Sequence, residues 1–413
     1  MKRSFWMIFS LTIALLVLVT TVVVPACGVS DRRFANLTQG INAAHWFAQA
    51  PLTAENFQNQ ITAEDLRLIR SLGFRHVRLP LDPTVLLDGA HPDRLNLENL
   101  SYLDRALDQI QAADLAVIVD LHPRSDLKRQ LYQDLRTDHE KPSGWTIFGG
   151  APRPQKSSNC VSPVYEDATF VEAIAQFWQT LAQHLSTRNP EQVFLEVLNE
   201  PASRDPQVWY AVQTRLLAAM RSGAPDHTLI ASANLRVGDD WDTLQALQEL
   251  APVADANVVY NFHFYQPMPF THQGATWGED LWAHLRDVPY PVDPQAIAAL
   301  LPQLGNSAAR ERLRRYGEEG WNAARLDALL QQAEAWGRSH RVRVTCNEFG
   351  VYRHAAPPDD RIAWLRDVRS LLERHRIGWA LWEYNAGFGI LVGDDGDRIP
   401  DDRIIAALLE AEE

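Results

Sequence analysis

Cysteine is scarce, with three in 413 residues: Cys27, Cys160 and Cys346. None lies in a CxxC pair or at a Cys/His spacing that would hold zinc. No glycine-rich turn follows the first strand-like run, as a dinucleotide-binding open sheet would need. Neither an internal repeat nor a low-complexity linker divides the chain, which excludes solenoids and strings of small modules. Basic charge is in deficit. Lys and Arg number 39 against 52 Asp and Glu, for a net charge of −13, so the chain has no electrostatic footprint for nucleic acid. What remains is a globular composition, 46% hydrophobic and 22% charged, which excludes disorder and fibres. The length exceeds one ordinary domain but suits an α/β barrel with insertions. The 13 Trp are the compositional outlier; Trp serves both cores and sugar-binding surfaces.

Lys2 and Arg3 precede an uncharged, mostly apolar run from Ser4 to Cys27, the order of an export signal. Its end, Val24-Pro25-Ala26-Cys27-Gly28, resembles a bacterial lipobox in which Cys27 would be lipidated. The run is also long enough to serve as a membrane anchor. Residues 1–27 are therefore expected to be a signal peptide, lipoprotein signal or anchor, with residues 28–413 forming one domain. The mature protein would lie in the cell envelope or be secreted. Cys160 and Cys346 could pair in that oxidising compartment, or stay free.

Eight β-rich runs alternate with amphipathic helical stretches. The strands read are Leu37–Asn42, Phe74–Pro80, Ala116–His122, Val193–Asn199, Thr228–Ala233, Val258–Tyr265, Val342–Glu348 and Gly378–Trp382. The helices include Ala63–Leu72, Leu100–Ala113, Ala168–Leu185, Pro206–Arg221, Arg325–His340 and Arg361–His375. This alternation predicts a (β/α)8 TIM barrel, with a doubly wound open sheet as the competing fold. Two connections, Pro123–Asp167 after strand 3 and Gln266–Ala324 after strand 6, are about twice the length of the others. Loops on that side of a barrel wall the active cleft.

The C-terminal strand ends carry Arg78, His122, Asn199, Glu200, His263, Tyr265, Glu348 and Trp382. Each alone has a structural explanation, such as a core histidine, a surface pair or a helix cap. Two glutamates at the ends of strands 4 and 7 are harder to explain so. Facing carboxyl groups suit glycosidic bond cleavage, which needs a proton for the leaving oxygen and a nucleophile or water at the anomeric carbon. Arg78 and Tyr265 are placed to reach Glu348 and favour its anion, leaving Glu200 as the proton carrier.

Val197-Leu198-Asn199-Glu200-Pro201 followed by Asn347-Glu348-Phe349-Gly350 resembles glycoside hydrolase family 5, the cellulase-type family. The resemblance runs from about Asn36 to Leu409. It includes Gly40-Ile41-Asn42-Ala43-Ala44-His45-Trp46-Phe47, Val77-Arg78-Leu79-Pro80, Asp120-Leu121-His122, Asn261-Phe262-His263-Phe264-Tyr265 and Ala380-Leu381-Trp382. It implies a retaining mechanism with Glu200 as acid/base and Glu348 as nucleophile. Asn199 would bind the sugar 2-hydroxyl, and Arg78 and Tyr265 would hold Glu348. His122 and His263 would bind substrate or orient Glu200, and Trp382 would stack under the sugar in subsite −1. His45 and Trp46 join the expected substrate contacts, with Phe47, Trp145 and Trp277 as further candidate platforms. No metal or cofactor is implied. The expected partner is a β-linked polysaccharide, β-1,4-glucan with endo attack first. The alternatives within the family are exopolysaccharide trimming in the envelope, exo-β-1,3-glucanase and β-mannanase. The segment around Phe270-Thr271-His272-Gln273-Gly274-Ala275 resembles members found with bacterial exopolysaccharide systems. The third-strand His122 is followed by Pro123-Arg124, where many members carry a polar residue. Two other readings compete: a metal-dependent barrel hydrolase using His45, Asp120, His122 and His263, and a catalytically silent polysaccharide-binding or assembly protein. The first lacks a His-x-His on strand 1 and an extra carboxylate for a metal, and the two intact glutamates oppose the second.

Overall fold

Helix ends are written into the sequence. Thr62 Oγ1 accepts from Asp65 N and Asp65 Oδ2 accepts from Thr62 N, a capping box that starts the Ala63–Leu72 helix; Gly73, at φ +114, ends it. Parallel strands buried on both faces favour apolar runs, which Ala116–Leu121 and Val193–Glu196 supply most plainly. The computed structural model describes residues 28–88, 91–123, 163–235, 242–393 and 398–410. Eight strands form the barrel: β1 (Gly40–Asn42), β2 (His76–Leu81), β3 (Ala116–Leu121), β4 (Val193–Glu196), β5 (Thr228–Ser232), β6 (Val258–Phe264), β7 (Arg343–Phe349) and β8 (Gly378–Leu381). Each pairs in parallel with its sequence neighbours and β8 closes on β1, Gly40 opposite Ala380. The fold is a (β/α)8 barrel, and closure rules out the open sheet. All eight expected strands are present, their ends shifted by up to three residues.

Alternation sorts the side chains. Val77, Leu79 and Leu81 of β2, with Val117, Val119 and Leu121 of β3, face the helices and join the main core. Ala116, Ile118, Phe194, Ile230 and Val259 form a separate cluster with Val29, Phe34 and Leu37. Those last three residues flank or occupy the short Asp31–Ala35 helix, which seals the N-terminal end of the barrel, its floor. Six Trp, at 46, 178, 209, 282, 364 and 379, are almost wholly buried. Four of them spend their indole N–H on a backbone carbonyl: Trp46 on Phe57, Trp178 on Val197, Trp209 on Ser232 and Trp364 on Gln266. The tryptophan excess is therefore largely core.

The long connection after β6 is an ordered wall. It contains helices Met268–Thr271, Pro294–Leu300 and Ser307–Glu319. Gln273, fully buried, clamps it by donating to the Phe270 and Val288 carbonyls and accepting from Val288 N. Tyr352 N donates to Thr271 O at 2.8 Å and Asp287 N to Ala355 O at 3.1 Å, tying the wall to the segment after β7. The connection after β3, with Trp145 and Cys160, falls almost wholly outside the described residues, as do residues 1–27. Cys346 is a free, buried thiol on β7, and burial pushes its pKa well above the usual range.

Candidate active site

Arg78 organises the mouth. It points inward from β2 and is completely buried. Nε and Nη2 donate to the two oxygens of Glu196 at 3.0 and 2.8 Å. Nη1 donates to Asn42 Oδ1 at 3.0 Å and Glu348 Oε1 at 2.7 Å, and Nη2 also to Asn199 Oδ1 at 3.0 Å. Asp120 Oδ2 lies 2.9 Å from Nη2. An unpaired buried ion costs several kcal/mol, so such a group persists only with matched partners. Burial works against the cation here, but Asp120, Glu196 and Glu348 outweigh it and raise the Arg78 pKa well above its usual value.

Glu348 reaches this cluster through a break in the strand pattern. Phe262 pairs with Cys346 but His263 pairs with Glu348, which leaves Asn347 as the extra residue of a β-bulge. Strict alternation would turn Asn347 inward and Glu348 outward; the bulge turns both inward. Asn347 Nδ2 donates to Glu196 Oε2 at 2.6 Å. Glu348 Oε2 accepts from the Tyr265 hydroxyl at 3.0 Å. Burial and the charge of Glu348 push the Tyr265 pKa well above its usual value, so it remains a donor.

Glu200 sits beyond the end of β4, before Pro201, with its side chain 21% exposed. Its φ is +41, in the left-handed region, which costs a non-glycine residue on the order of 1–3 kcal/mol and tends to mark functional sites. His45 and Gln49, at φ +61 and +60, repeat the pattern in the loop after β1. His263 Nδ1 lies 3.0 Å from Glu200 Oε1 and 3.5 Å from Glu348 Oε2. Burial disfavours a charged His263, but the charge of Glu348 and the hydrogen bond and charge of Glu200 outweigh it, so its pKa is raised. His122 Nδ1 is 2.8 Å from Asp120 Oδ2, and its Nε2 faces the amide nitrogens of Gln49 and Asn199 at 3.1 and 3.2 Å. Burial lowers its pKa to about 4, so the ring is neutral at ordinary pH.

The structure thus brings Arg78, His122, Asn199, Glu200, His263, Tyr265 and Glu348 together. Trp382 is close by, its ring stacked on His122 at 5.7 Å between centroids. His45 Nε2 lies 3.1 Å from Glu383 Oε2, the residue after Trp382, and that contact raises its pKa. Trp46 is a correction. It is 1% exposed, its N–H is taken by Phe57 O, and its ring packs on Phe47, so it supports the barrel wall and cannot present a face to sugar. Phe47 is buried for the same reason. Trp277 is 44% exposed and set edge-on to Tyr352 at 4.6 Å, within an aromatic chain that runs through Phe388 to Tyr265.

Glu196, Gln49 and Glu383 were missed by sequence reasoning. For Glu196 the signal was present: a carboxylate inside the apolar run Val193-Phe194-Leu195-Glu196-Val197-Leu198 has to be paired. Glu200, His263 and Glu348 each offer an atom within 4.8 Å of the others, a spacing a cation could bridge. The Arg78 guanidinium and the Tyr265 hydroxyl already occupy Glu348, which makes the trio a poor metal cage. The arrangement instead fits chemistry between two carboxyl groups.

Residues 39–387 match the family model described as cellulase, glycosyl hydrolase family 5. The chain is 28% identical over 346 residues to Endoglucanase C of Acetivibrio thermocellus, covering 84% of this chain and 90% of that protein. Among solved structures, endoglucanase Cel5A of Thermotoga maritima shares the fold with a TM-score of 0.66 at 22% identity, over 93% of this chain and 100% of its own. Cellulose synthase subunit Z of Clostridioides difficile shares it with a TM-score of 0.65 at 21% identity, over 91% and 100%.

Proposed function

Because this chain belongs to glycosyl hydrolase family 5 and is a glycoside hydrolase, we propose that it is an endo-acting β-1,4-glucanase that works by double displacement on Glu348 and Glu200. The observation that carries the mechanism is the carboxyl spacing. One oxygen of Glu200 lies within 4.8 Å of one oxygen of Glu348, a close approach that supports the roughly 5–5.5 Å carboxyl pairing of retaining enzymes over the roughly 6.5–9.5 Å that admits a water in inverting ones. Glu348 attacks the anomeric carbon and forms an ester, while the bond to the leaving oxygen breaks and takes the proton of Glu200. Glu200, now a carboxylate, removes a proton from water. That water displaces Glu348, which leaves as a carboxylate, and Glu200 is again protonated. Arg78 and Tyr265 hold Glu348 aligned for attack, Asn199 meets the sugar 2-hydroxyl, and Trp382 carries the ring in subsite −1.

The substrate choice is supported by the endoglucanase relative. The decisive experiment is a reducing-sugar screen on soluble β-1,4-glucan, β-1,3-glucan, mannan and the host's exopolysaccharide, followed by NMR of the first anomer released. Activity on starch alone, or an inverted product, overturns the reading. We also propose that residues 1–27 export the chain and tether it to the envelope. Val29 is buried in the floor cluster, so such a tether would attach opposite the mouth and hold the cleft away from the membrane. Incorporation of labelled fatty acid into wild type and Cys27→Ser tests lipidation; no label on the wild-type chain rules it out.

A further inference from the structure

Asn261 lies on β6, two residues before His263, and is 2% exposed. Its Oδ1 accepts from Asn347 N at 2.9 Å. A backbone N–H can only donate, so this contact settles which way round the amide sits. The nitrogen, Nδ2, is left facing Glu196 Oε1 at 3.1 Å and His263 Nε2 at 3.3 Å. An amide nitrogen has two hydrogens and nothing with which to accept. His263 Nε2 must therefore present its lone pair, and the ring's hydrogen belongs on Nδ1, which points at Glu200 Oε1 3.0 Å away.

The same device occurs a second time across the mouth. Asn199 Oδ1 accepts from Arg78 Nη2, a group that can only donate, so Asn199 Nδ2 faces His122 Nε2 at 3.2 Å and the His122 hydrogen goes to the Asp120 side. We propose that Asn261 is a positioning residue of the acid/base machinery: its amide, pinned by the Asn347 N–H, keeps His263 Nε2 free of a proton and commits the ring's single N–H to Glu200. This rests on Glu200 being the acid/base.

The lock matters because of what surrounds the ring. His263 is faced by Glu200 from beyond β4, Glu348 from β7, Arg78 from β2 and His122 from β3, with Glu196 of β4 on the other side of Asn261 Nδ2. The carboxylates favour a second proton on it. An imidazolium 3.0 Å from Glu200 would stabilise the Glu200 carboxylate and strip the acid of its proton too early; an opposite charge this close moves a carboxyl pKa by about 1–3 units. The Asn261 N–H directed at Nε2 opposes that second proton.

The direct test uses the full chain with 15N-labelled histidine, its His263 signals assigned by a His263→Gln variant. At the pH of maximal activity, wild-type Nε2 is expected to show the shift of a bare ring nitrogen and Nδ1 that of a protonated one. A protonated Nε2 there overturns the proposal. A second test compares kcat/KM against pH for wild type, Asn261→Ala and Asn261→Asp. Loss of the lock moves the alkaline limb acidward by about one unit or more in at least one variant. A purely structural role lowers kcat/KM uniformly and leaves both limbs in place, which also overturns the proposal. Failure of the underlying acid/base reading looks different: Glu200→Gln would keep full turnover, whatever the nitrogen shifts show.

Discussion

At the mouth of the barrel, Arg78, Asp120, Glu196 and Glu348 are buried beside one another, and all five N–H groups of Arg78 have acceptors. At the floor, His76, two residues before Arg78 on β2, and His227, just before β5, are buried equally well. Their ring nitrogens make no hydrogen bond of good geometry among the described residues, and burial lowers their pKa values to about 3 and about 4. Both ends hide polar groups from water. One end hides charge inside a matched network; the other hides groups that give up their charge. The difference shows where the fold maintains an electrostatic field. A buried ion needs every partner, whereas a ring that gives up its charge carries only the smaller cost of a buried neutral polar group. The floor can thus be closed by apolar contacts from Phe34 and Leu37, while the mouth stays rigid and polar, as preorganised stabilisation of developing charge requires.

If that division holds, perturbing the mouth changes rate and perturbing the floor changes stability. The largest effect is expected for Glu348→Gln: a loss of kcat of at least about a thousandfold, roughly 4 kcal/mol of barrier, with a smaller loss of stability, about 2 kcal/mol, because Arg78 keeps Asp120 and Glu196. An equal fall in both would put the mouth's role in stability instead. Next is Phe34→Ala at the floor, where truncating a buried Phe costs about 3–4 kcal/mol, read by urea unfolding, with kcat of the folded fraction unchanged. Glu196→Gln falls between the two ends. It leaves Arg78 with Asp120 and Glu348, so about 2–3 kcal/mol of stability is lost. Activity falls with it, because Arg78 holds both Glu348 and Asn199. A variant that loses stability and keeps full activity would separate Arg78's structural role from its part in the site.

The sequence made the floor and the frame easier to read than the mouth. β2 through β7 are long apolar runs, and Ala63–Leu72 carries both of its caps, so these elements follow from local pattern. The short β1 was read three residues too long at its start, because Leu37 is apolar for the floor's sake and not the strand's. At the mouth the motif residues were visible, but their geometry depends on long-range events. The Asn347 bulge that turns Glu348 inward is a pairing feature between β6 and β7, invisible to a period-two reading. Trp46 was misread because it adjoins His45 in a mouth segment, yet its N–H is claimed by Phe57, eleven residues on. Glu196 was passed over in favour of Glu200, although a carboxylate within a strand core is the stronger anomaly.

The smallest expected effect tests the neutral floor, through pH. His76 has a folded pKa of about 3 against roughly 6.5 when unfolded. Between those values the unfolded chain binds a proton that the folded chain refuses, so stability rises with pH across the window and is lost as pH falls below about 6.5. His227 behaves alike down to about 4. From pH 7 to pH 5 each ring should cost about 2 kcal/mol. Replacing His76 by Leu, neutral and similar in volume, should therefore shrink the acid-induced loss of urea stability by about that amount, whatever it does at pH 7. An unchanged slope would mean that His76 already holds its proton in the fold. The floor would then contain a charge with a partner, and the contrast with the mouth would fail at its simplest point.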